Sequence, residues 1–212
     1  NNELDTVALL AFVGAGDGFV QTWYDQSGNA SDATQASASV QPRIVSGGSV
    51  ILENGVPTIE FVDDYLDLPQ TIPAGDWSMF GAGARKNTSK SMVFLGDSIA
   101  TGVTCFMIYF TSDFYVIASN NYLQSFNPYS NTTMDLWSGF VLGGNASELY
   151  KSGVLQNKYI INNGYTSSFR TIGRYAATTS TANMSEIIYY EDDQSSNRTG
   201  IESNIQSFYT IP

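Results

Sequence analysis

Apolar and polar residues alternate along much of this chain, and the alternation predicts short β-strands. Residues 19–24 and 57–62 place apolar side chains at about every second position. This period suits a strand that has one face on a hydrophobic core. Similar apolar runs between turn-forming residues predict further strands at 43–45, 50–52, 77–85, 91–95, 104–110, 114–118, 135–143, 148–151, 168–175 and 184–190.

Helical spacing is confined to the two ends of the chain. Residues 4–13 predict a helix that Gly14 ends, and residues 194–208 predict a second helix with Asp193 as its N-cap. The residues that share one face are Val7, Leu10 and Ala11 in the first helix and Ile201, Ile205 and Phe208 in the second. Many short strands with helices only at the ends indicate an all-β, antiparallel sandwich of two sheets.

A sharp corner is predicted where residues 19–24 end. The run DQSGN that starts at Asp25 consists of residues that favour turns, several of them through their own side chains. The Asp25 carboxylate and the Gln26 amide are expected to hold the backbone of this turn. Trp23 and Tyr24 bury apolar area and keep a polar tip for a hydrogen bond. Two interpretations stay open, a structural corner of the sandwich and a ligand site.

The net charge of the chain limits the kinds of molecule that it is expected to bind. Its 212 residues include 20 acidic and 9 basic side chains, for a net charge of −11. Nucleic-acid phosphates are bound by Lys and Arg, so nucleic acid is not an expected partner. Membrane insertion is not expected either, because no apolar stretch approaches the ~18 residues of a membrane-spanning helix. The length suits one sandwich domain, residues 1–212, and the start at Asn1 immediately before a helix suggests a domain cut from a longer protein.

The residue types present also limit the chemistry. The chain has no histidine and one cysteine, Cys105. Ser-His-Asp and Cys-His catalytic sites, His-containing metal sites and cysteine-rich clusters are therefore excluded. Carboxylates remain, and a glycosidase needs two of them about 5–10 Å apart around one sugar ring. The candidates are Asp63, Asp64, Asp67, Asp97, Asp113, Glu148, Glu191, Asp192 and Asp193.

A family resemblance is carried by TWYDQSGNASDATQA, residues 22–36, together with LDTVALLAFVGAGDGFV before it. These residues resemble concanavalin-A-like (laminin-G-like) jelly-roll domains of bacterial surface and phage tail proteins. They are also similar to the opening of the catalytic sandwich in family-54 α-L-arabinofuranosidases. The likeness continues through residues 44–69 and 185–209. It implies a concanavalin-A-like jelly roll with short N- and C-terminal helices.

The resemblance does not extend to the catalytic residues of the arabinofuranosidases. Their nucleophile is a glutamate in a Met-Glu-Ala-Ile-Tyr context, and the most similar stretch here, residues 105–109, holds no carboxylate. Their acid/base aspartate follows an Ile-Gly pair, whereas Ile172-Gly173 is followed by Arg174-Tyr175. The adjacent cysteine pair of that family is also missing. The resemblance therefore favours a sandwich without catalytic activity.

Ligand binding by such a sandwich is expected to use flat aromatic side chains, amides and carboxylates. Residues 120–127 predict an exposed polar-aromatic loop. The candidate ligand-binding residues are Tyr122, Gln124, Asn127, Tyr129, Trp137 and Tyr175, with Trp77 as a further stacking surface. Core packing is the alternative for each aromatic. Asp63, Asp64 and Asp67 are candidate calcium ligands because calcium prefers oxygen ligands, although their spacing is not that of an EF-hand.

These observations predict a non-catalytic, lectin-like domain that recognises a glycan. The resemblance places it on a virion, such as a phage tail or fibre, or on a cell surface, where it mediates attachment. The expected partners are a cell-surface or environmental polysaccharide and other chains of a virion or surface assembly. A structural virion or surface protein without glycan affinity is the first alternative. The second is an α-L-arabinofuranosidase-like glycoside hydrolase, which two carboxylates facing each other in a pocket would favour.

Overall fold

The computed structural model describes residues 4–72, 76–87, 89–97, 105–108, 114–118, 121–125, 132–142, 146–160 and 169–212. The helices are α1, Thr6–Val13, and α2, Arg198–Tyr209, with 3₁₀ turns at Ala38–Val40 and Ser195–Asn197. The strands of the first half are β1 Gly18–Phe19, β2 Thr22–Trp23, β3 Ala33–Thr34, β4 Arg43–Ser46, β5 Ser49–Val50, β6 Leu52–Glu53, β7 Val56–Pro57, β8 Ile59–Asp64, β9 Leu66–Ile72 and β10 Trp77–Arg85. Those of the second half are β11 Met92–Gly96, β12 Cys105–Ile108, β13 Phe114–Ala118, β14 Asn121–Ser125, β15 Asp135–Val141, β16 Ala146–Lys151, β17 Val154–Ile160, β18 Phe169–Ile172, β19 Arg174–Tyr175 and β20 Thr178–Tyr190.

The strands form two antiparallel sheets that share a core. Sheet A has the order β1-β4-β8-β20-β10-β15-β16-β17, with β5 paired to β4 and β19 paired to β20. Sheet B has the order β14-β13-β12-β11-β18-β9-β3-β2, and β6 and β7 form a separate hairpin. This architecture confirms the predicted all-β jelly-roll sandwich with short terminal helices. Within the described ranges, no helix is both long and apolar enough to cross a membrane.

The main core lies between the sheets and is built from aromatic side chains. Trp77 of sheet A meets Phe169 of sheet B edge to face, with ring centroids 5.5 Å apart, and Phe106 in the same way at 6.4 Å. Such pairs contribute about 0.5–1.5 kcal/mol beyond the apolar area that they bury. Gly81 lets the sheets approach, since a Cβ there would lie 2.7 Å from the Phe94 ring. Trp77 is fully buried, so it packs in the core and offers no stacking surface to solvent.

A second core covers the other face of sheet A. Phe80 and Phe140 of this sheet pack with Ile205 and Tyr209 of α2. Asn54 fixes the end of the helix, because its Nδ2 donates to the backbone oxygen of Tyr209 at 3.1 Å. Helical spacing correctly predicted the inward Ile205 but wrongly included Phe208, which is half exposed because Tyr209 takes the inward position instead.

The first helix meets the sandwich with a different face from the one predicted. Thr6, Leu9, Leu10 and Val13 are half-buried, whereas Val7, Ala11 and Phe12 are exposed. The prediction of Val7 and Ala11 as partners of Leu10 on one packed face is therefore wrong. The helix TVALLAFV is apolar on every side, so the spacing of its apolar residues cannot select a face.

Three other segments differ from their predictions. Residues 19–24 do not form one strand, because β1 joins sheet A and β2 joins sheet B, so the chain crosses between the sheets there. The predicted exposed loop at 120–127 contains β14, which pairs with β13 at the edge of sheet B. The predicted strand 168–175 breaks at Gly173 into β18 and β19.

Candidate functional site

The described residues bring polar and aromatic side chains together where the β19–β20 hairpin meets the end of sheet B. The hairpin turns away from β18 at Gly173, which has a φ of +87°. A Cβ at this position would lie 2.8 Å from the Asp64 backbone oxygen and 2.8 Å from the Phe61 ring. A residue with a side chain would therefore be strained and crowded here, so the corner requires glycine.

Close backbone contacts fix the hairpin over β11. The Thr171 hydroxyl lies 2.6 Å from the backbone oxygen of Arg174 and 3.1 Å from that of Gly96. The Ala176 N–H donates to the Asp97 backbone oxygen at 2.8 Å. The hairpin is thereby tied to both neighbouring strands of sheet B, and its side chains are held in fixed positions.

Arg174 is the centre of this surface. The Cζ atom of its guanidinium lies 3.5 Å from the centroid of the Tyr65 ring, and its Nη2 lies 3.4 Å from Asp67 Oδ1. A guanidinium stacked on an aromatic ring loses little further freedom when it donates hydrogen bonds. The Arg174 side chain is 24 % exposed and that of Asp67 is 52 % exposed, so both reach solvent.

A second arginine–carboxylate pair lies on the adjacent strands. Arg170 Nε of β18 lies 3.6 Å from Asp97 Oδ2, just after β11. The Asp97 side chain is nearly buried, whereas that of Arg170 is about two-fifths exposed. We call the set Tyr65, Asp67, Asp97, Arg170, Arg174 and Tyr175 the Arg174 surface. It offers the exposed Asp67 carboxylate beside the Arg174 guanidinium, the partly exposed Arg170 and two half-buried tyrosines.

The three aspartates predicted as calcium ligands do not form a common ligand set. Asp63 Oδ1 accepts a hydrogen bond from Thr179 Oγ1 at 2.9 Å and lies 3.5 Å from Lys90 Nζ. Asp64 Oδ2 accepts from the Val62 N–H at 2.8 Å, and Asp67 faces Arg174. Among the described residues, no three His, Cys, Asp or Glu side chains are grouped so that they could hold a metal ion. Asp67 belongs to the Arg174 surface instead, and Asp63 and Asp64 lie at the end of the preceding strand, β8.

Asp64 has an unusual environment for a carboxylate. Burial raises its pKa, and the nearby charges of Asp63 and Glu60 raise it further. The hydrogen bond from Val62 and the charge of Arg43 act in the opposite direction, but the net pKa stays above the ordinary value. The Asp64 side chain is thus a weaker acid than an ordinary aspartate.

The predicted ligand-binding residues have different locations. Tyr175 lies on the Arg174 surface and is half-buried. Trp137 is 1 % exposed and packs in the main core, so the prediction that it stacks on a ligand is wrong. Its apolar neighbours on β15 already indicated a strand buried on both faces. Tyr122 and Gln124 lie on the edge strand β14, and Asn127 and Tyr129 lie outside the described residues.

The corner at Asp25 has the structure that its residues predicted. The Asp25 carboxylate accepts from the Ser27 N–H at 2.8 Å, from the Ser27 hydroxyl at 2.8 Å and from the Ser31 N–H at 3.1 Å. These contacts lower the pKa of Asp25 below its ordinary value, and the hydrogen bond from the Ser27 N–H has the largest effect. Gln26 Nε2 donates to the Tyr24 backbone oxygen at 3.3 Å. Because both Asp25 oxygens accept hydrogen bonds from its own loop, the contacts support the interpretation of a structural corner.

No protein-family model and no curated protein sequence matches the chain. Its fold is similar to solved structures at low sequence identity. The binding domain of Paraclostridial Mosquitocidal Protein 1 matches with a TM-score of 0.60 and 10 % identity over 94 % of this chain and 53 % of that one. Trypanosoma rangeli sialidase in complex with sialic acid matches with a TM-score of 0.57 and 10 % identity over 90 % of this chain and 32 % of that one.

These likenesses concern the fold. The chain spans about half the length of the toxin binding domain and about a third of the sialidase. They support the β-sandwich that the family resemblance implied. The arabinofuranosidase relationship, the phage-tail relationship and the single domain of residues 1–212 stay predictions.

Proposed function

We propose that this chain is a non-catalytic glycan-recognition domain whose ligand binds at the Arg174 surface. The observation that carries the proposal is the stacking of the Arg174 guanidinium on Tyr65 beside the exposed Asp67 carboxylate. Because the stacked guanidinium is already ordered, it can donate hydrogen bonds to a ligand at a low entropic cost.

The chemistry of this surface suits a sugar. Vicinal hydroxyl groups of a pyranose or furanose are paired donors and acceptors, and an adjacent guanidinium and carboxylate offer the complementary groups. The partly exposed edges of Tyr65 and Tyr175 can pack against the C–H groups of the ring. Arg170, which is about two-fifths exposed, offers further donors to a neighbouring sugar unit, and the nearly buried Asp97 lies beside it as its ion-pair partner.

Two further observations support binding without bond cleavage. The stretches that resemble the catalytic segments of the arabinofuranosidases lie in β12 and at the Gly173 corner, and neither holds a carboxylate at the matching position. In the ion pairs Arg174–Asp67 and Arg170–Asp97 each carboxylate is directed at an arginine, whereas a glycosidase directs two carboxyl groups at one sugar ring. Similarity in fold to a toxin binding domain agrees with a binding role.

Display on a virion or cell surface is part of the proposal. It is supported by the family resemblance and by a composition in which only 14 % of residues are charged. Polysaccharide is the proposed ligand, and the other chains of the assembly are the proposed protein partners.

A glycan array tests the proposal, with the wild-type chain probed in calcium and again in chelator. We expect specific binding that survives chelation, because Asp63, Asp64 and Asp67 each contact a different group of the protein and do not form a common calcium site. Arg174→Ala is expected to weaken the affinity for the best glycan by 10-fold or more, since hydrogen bonds to a charged group contribute about 1.5–3 kcal/mol. Lys158→Ala is the matched control, because it also removes one cation from a surface ion pair, here with Glu148. Lys158 lies on the edge strand β17 and Glu148 on the neighbouring strand β16.

Three results would contradict the proposal. No specific binding across a broad array would leave a structural surface protein as the better interpretation. Equal losses of glycan affinity in Arg174→Ala and Lys158→Ala would mean that the ligand does not bind at the Arg174 surface. Release of sugar from an arabinose-containing polysaccharide would show that the domain is an enzyme.

A further inference from the structure

The outward face of α1 is an exposed apolar surface. Val7, Ala8, Ala11 and Phe12 are all exposed and lie within one continuous sector of the helix, and the exposed Leu4 precedes its N-cap. Val7 is 78 % exposed and Phe12 is 90 % exposed. A phenylalanine buries roughly 150–250 Å² when it is covered, so Phe12 leaves a large apolar area in water. Helices on the surface of a globular protein ordinarily turn polar residues outward, and α1 has none on this face.

A cleft continues this surface towards sheet A. It has a volume of about 310 Å³, and Phe12 and Val13 of the helix line one side of it. Phe19 of β1 and Ile44 of β4 line the other side, and Asp17 also contributes to the wall. Phe19 is 54 % exposed, so the apolar surface extends from the helix across the cleft to the edge strand. The volume is sufficient for one or two large apolar side chains.

Carboxylates are the main charged groups of α1 and the cleft wall. Asp5 is the exposed N-cap of the helix, and Asp17 lines the cleft. The neighbouring cation, Arg43, is shared between two carboxylates, Asp17 at 3.1 Å and Glu60 at 2.5 Å. Since the whole chain also carries a net charge of −11, a basic partner is electrostatically favoured at this surface.

We propose that the apolar face of α1 and the adjacent cleft bind an amphipathic segment of another protein chain. The segment inserts one or two large apolar side chains between Phe12 and Phe19, and Lys or Arg residues flank them to meet the acidic surroundings. This mode resembles the docking of a helix into a groove, in which a few buried anchors carry most of the binding energy. The site is independent of the Arg174 surface and of its ligand.

Charge and area argue against a second copy of this chain as the occupant. A second copy would carry the same net charge of −11, and like charges at an interface cost several kcal/mol. The apolar surface of one helix and one cleft amounts to a few hundred Å², whereas a stable dimer buries about 800 Å² on each partner. An anionic membrane is disfavoured by the same negative charge.

A display library of random 16-residue peptides, selected on the immobilised chain, tests the proposal. We expect enriched peptides to carry Phe, Leu, Ile or Trp together with Lys or Arg. The best peptide, made synthetically, is expected to bind at least 10-fold more weakly to Phe12→Ser by fluorescence anisotropy. Its affinity should also fall when salt is raised from 0.1 to 1 M, because the screening length shrinks from about 10 Å to about 3 Å.

Phe208→Ser is the matched control, because Phe208 is an exposed phenylalanine on α2. Its affinity for the peptide should stay within 2-fold of wild type. The proposal is overturned by selection without enrichment, by enriched peptides that lack Lys and Arg, or by equal effects of the two substitutions. Sedimentation that shows a dimer lost in Phe12→Ser would identify a second copy as the occupant, and flotation with anionic vesicles would identify a membrane. Either result also overturns it.

Discussion

At the scale of single residues, Gly96 decides how closely the β19–β20 hairpin approaches sheet B. A Cβ at this position would lie well inside the van der Waals distance of the Arg174 backbone oxygen and 3.1 Å from Tyr175 Cβ. Both neighbours belong to the Arg174 surface. We predict that Gly96→Ala lowers the free energy of unfolding by about 1–3 kcal/mol, because the backbone of the hairpin must move. Urea denaturation measures this loss, and glycan affinity should fall with it.

Gly200 provides the comparison for Gly96. It lies in the first turn of α2, and no other atom lies within 4 Å of a Cβ added there. Gly200→Ala is expected to raise the free energy of unfolding by about 0.5–1 kcal/mol, because alanine restricts the unfolded chain and fits a helix. Similar losses for the two substitutions would mean that Gly96 is not a point of close approach.

At the scale of elements, the two helices differ in what holds them to the sandwich. Ile205 of α2 is buried against Phe80 and Phe140, so Ile205→Ala removes packing that no neighbour can replace. We predict a loss of about 2–5 kcal/mol in the free energy of unfolding for this substitution. Phe208→Ala, one turn away on the exposed side, should cost less than about 1 kcal/mol. Equal losses in chemical denaturation would contradict this packing of α2 on sheet A.

The same elements show how far the sequence determines the fold. The apolar run at residues 77–85 correctly predicted β10, which is buried on both faces. Alternation correctly predicted β8, because Ile59 and Phe61 pack on the core between the sheets. It failed at residues 19–24, where the chain crosses from sheet A to sheet B and each strand is only two residues long. It also failed for the inward face of α1, because an apolar helix offers no polar side to orient it.

The candidate site was harder to predict than the fold. Tyr175 was chosen for its aromatic ring, but Arg174 beside it was missed, because its importance arises from stacking on Tyr65 of a distant segment. Asp67 was a candidate calcium ligand because its carboxylate offers oxygen ligands and lies close to Asp63 and Asp64 in the sequence. Its partner in the structure is Arg174, which only the pairing of β9 with β18 brings near. Trp137 shows the opposite error, since a large aromatic in a strand was expected at the surface and lies in the core.

At the scale of the whole molecule, acid stability depends on carboxylates whose surroundings shift their pKa values in opposite directions. Burial acts to raise the pKa of Glu60, but hydrogen bonds and charges from Lys86 and Arg43 outweigh burial and hold it below the ordinary value. Burial raises the pKa of Glu186 despite a hydrogen bond from Tyr209. The ordinary pKa of a glutamate is about 4.3. Glu60 therefore favours folding above that pH, and its contribution is lost as the pH falls through the lower folded-state value.

Glu186 has the opposite effect on stability. Its folded state holds a proton that the unfolded state has released, so stability declines as the pH rises from about 4.3 to the higher folded-state pKa. We predict that Glu186→Gln raises the urea midpoint at pH 7 and flattens that decline.

Glu60→Gln should lower the free energy of unfolding at pH 7 by about 1–3 kcal/mol, a difference that shrinks as wild-type Glu60 becomes protonated in acid. Urea titrations from pH 3 to pH 7 measure both effects, with the exposed Glu191→Gln as a control. If both substitutions shift the midpoint in the same direction at pH 7, the assignment of opposite roles to these two carboxylates is wrong.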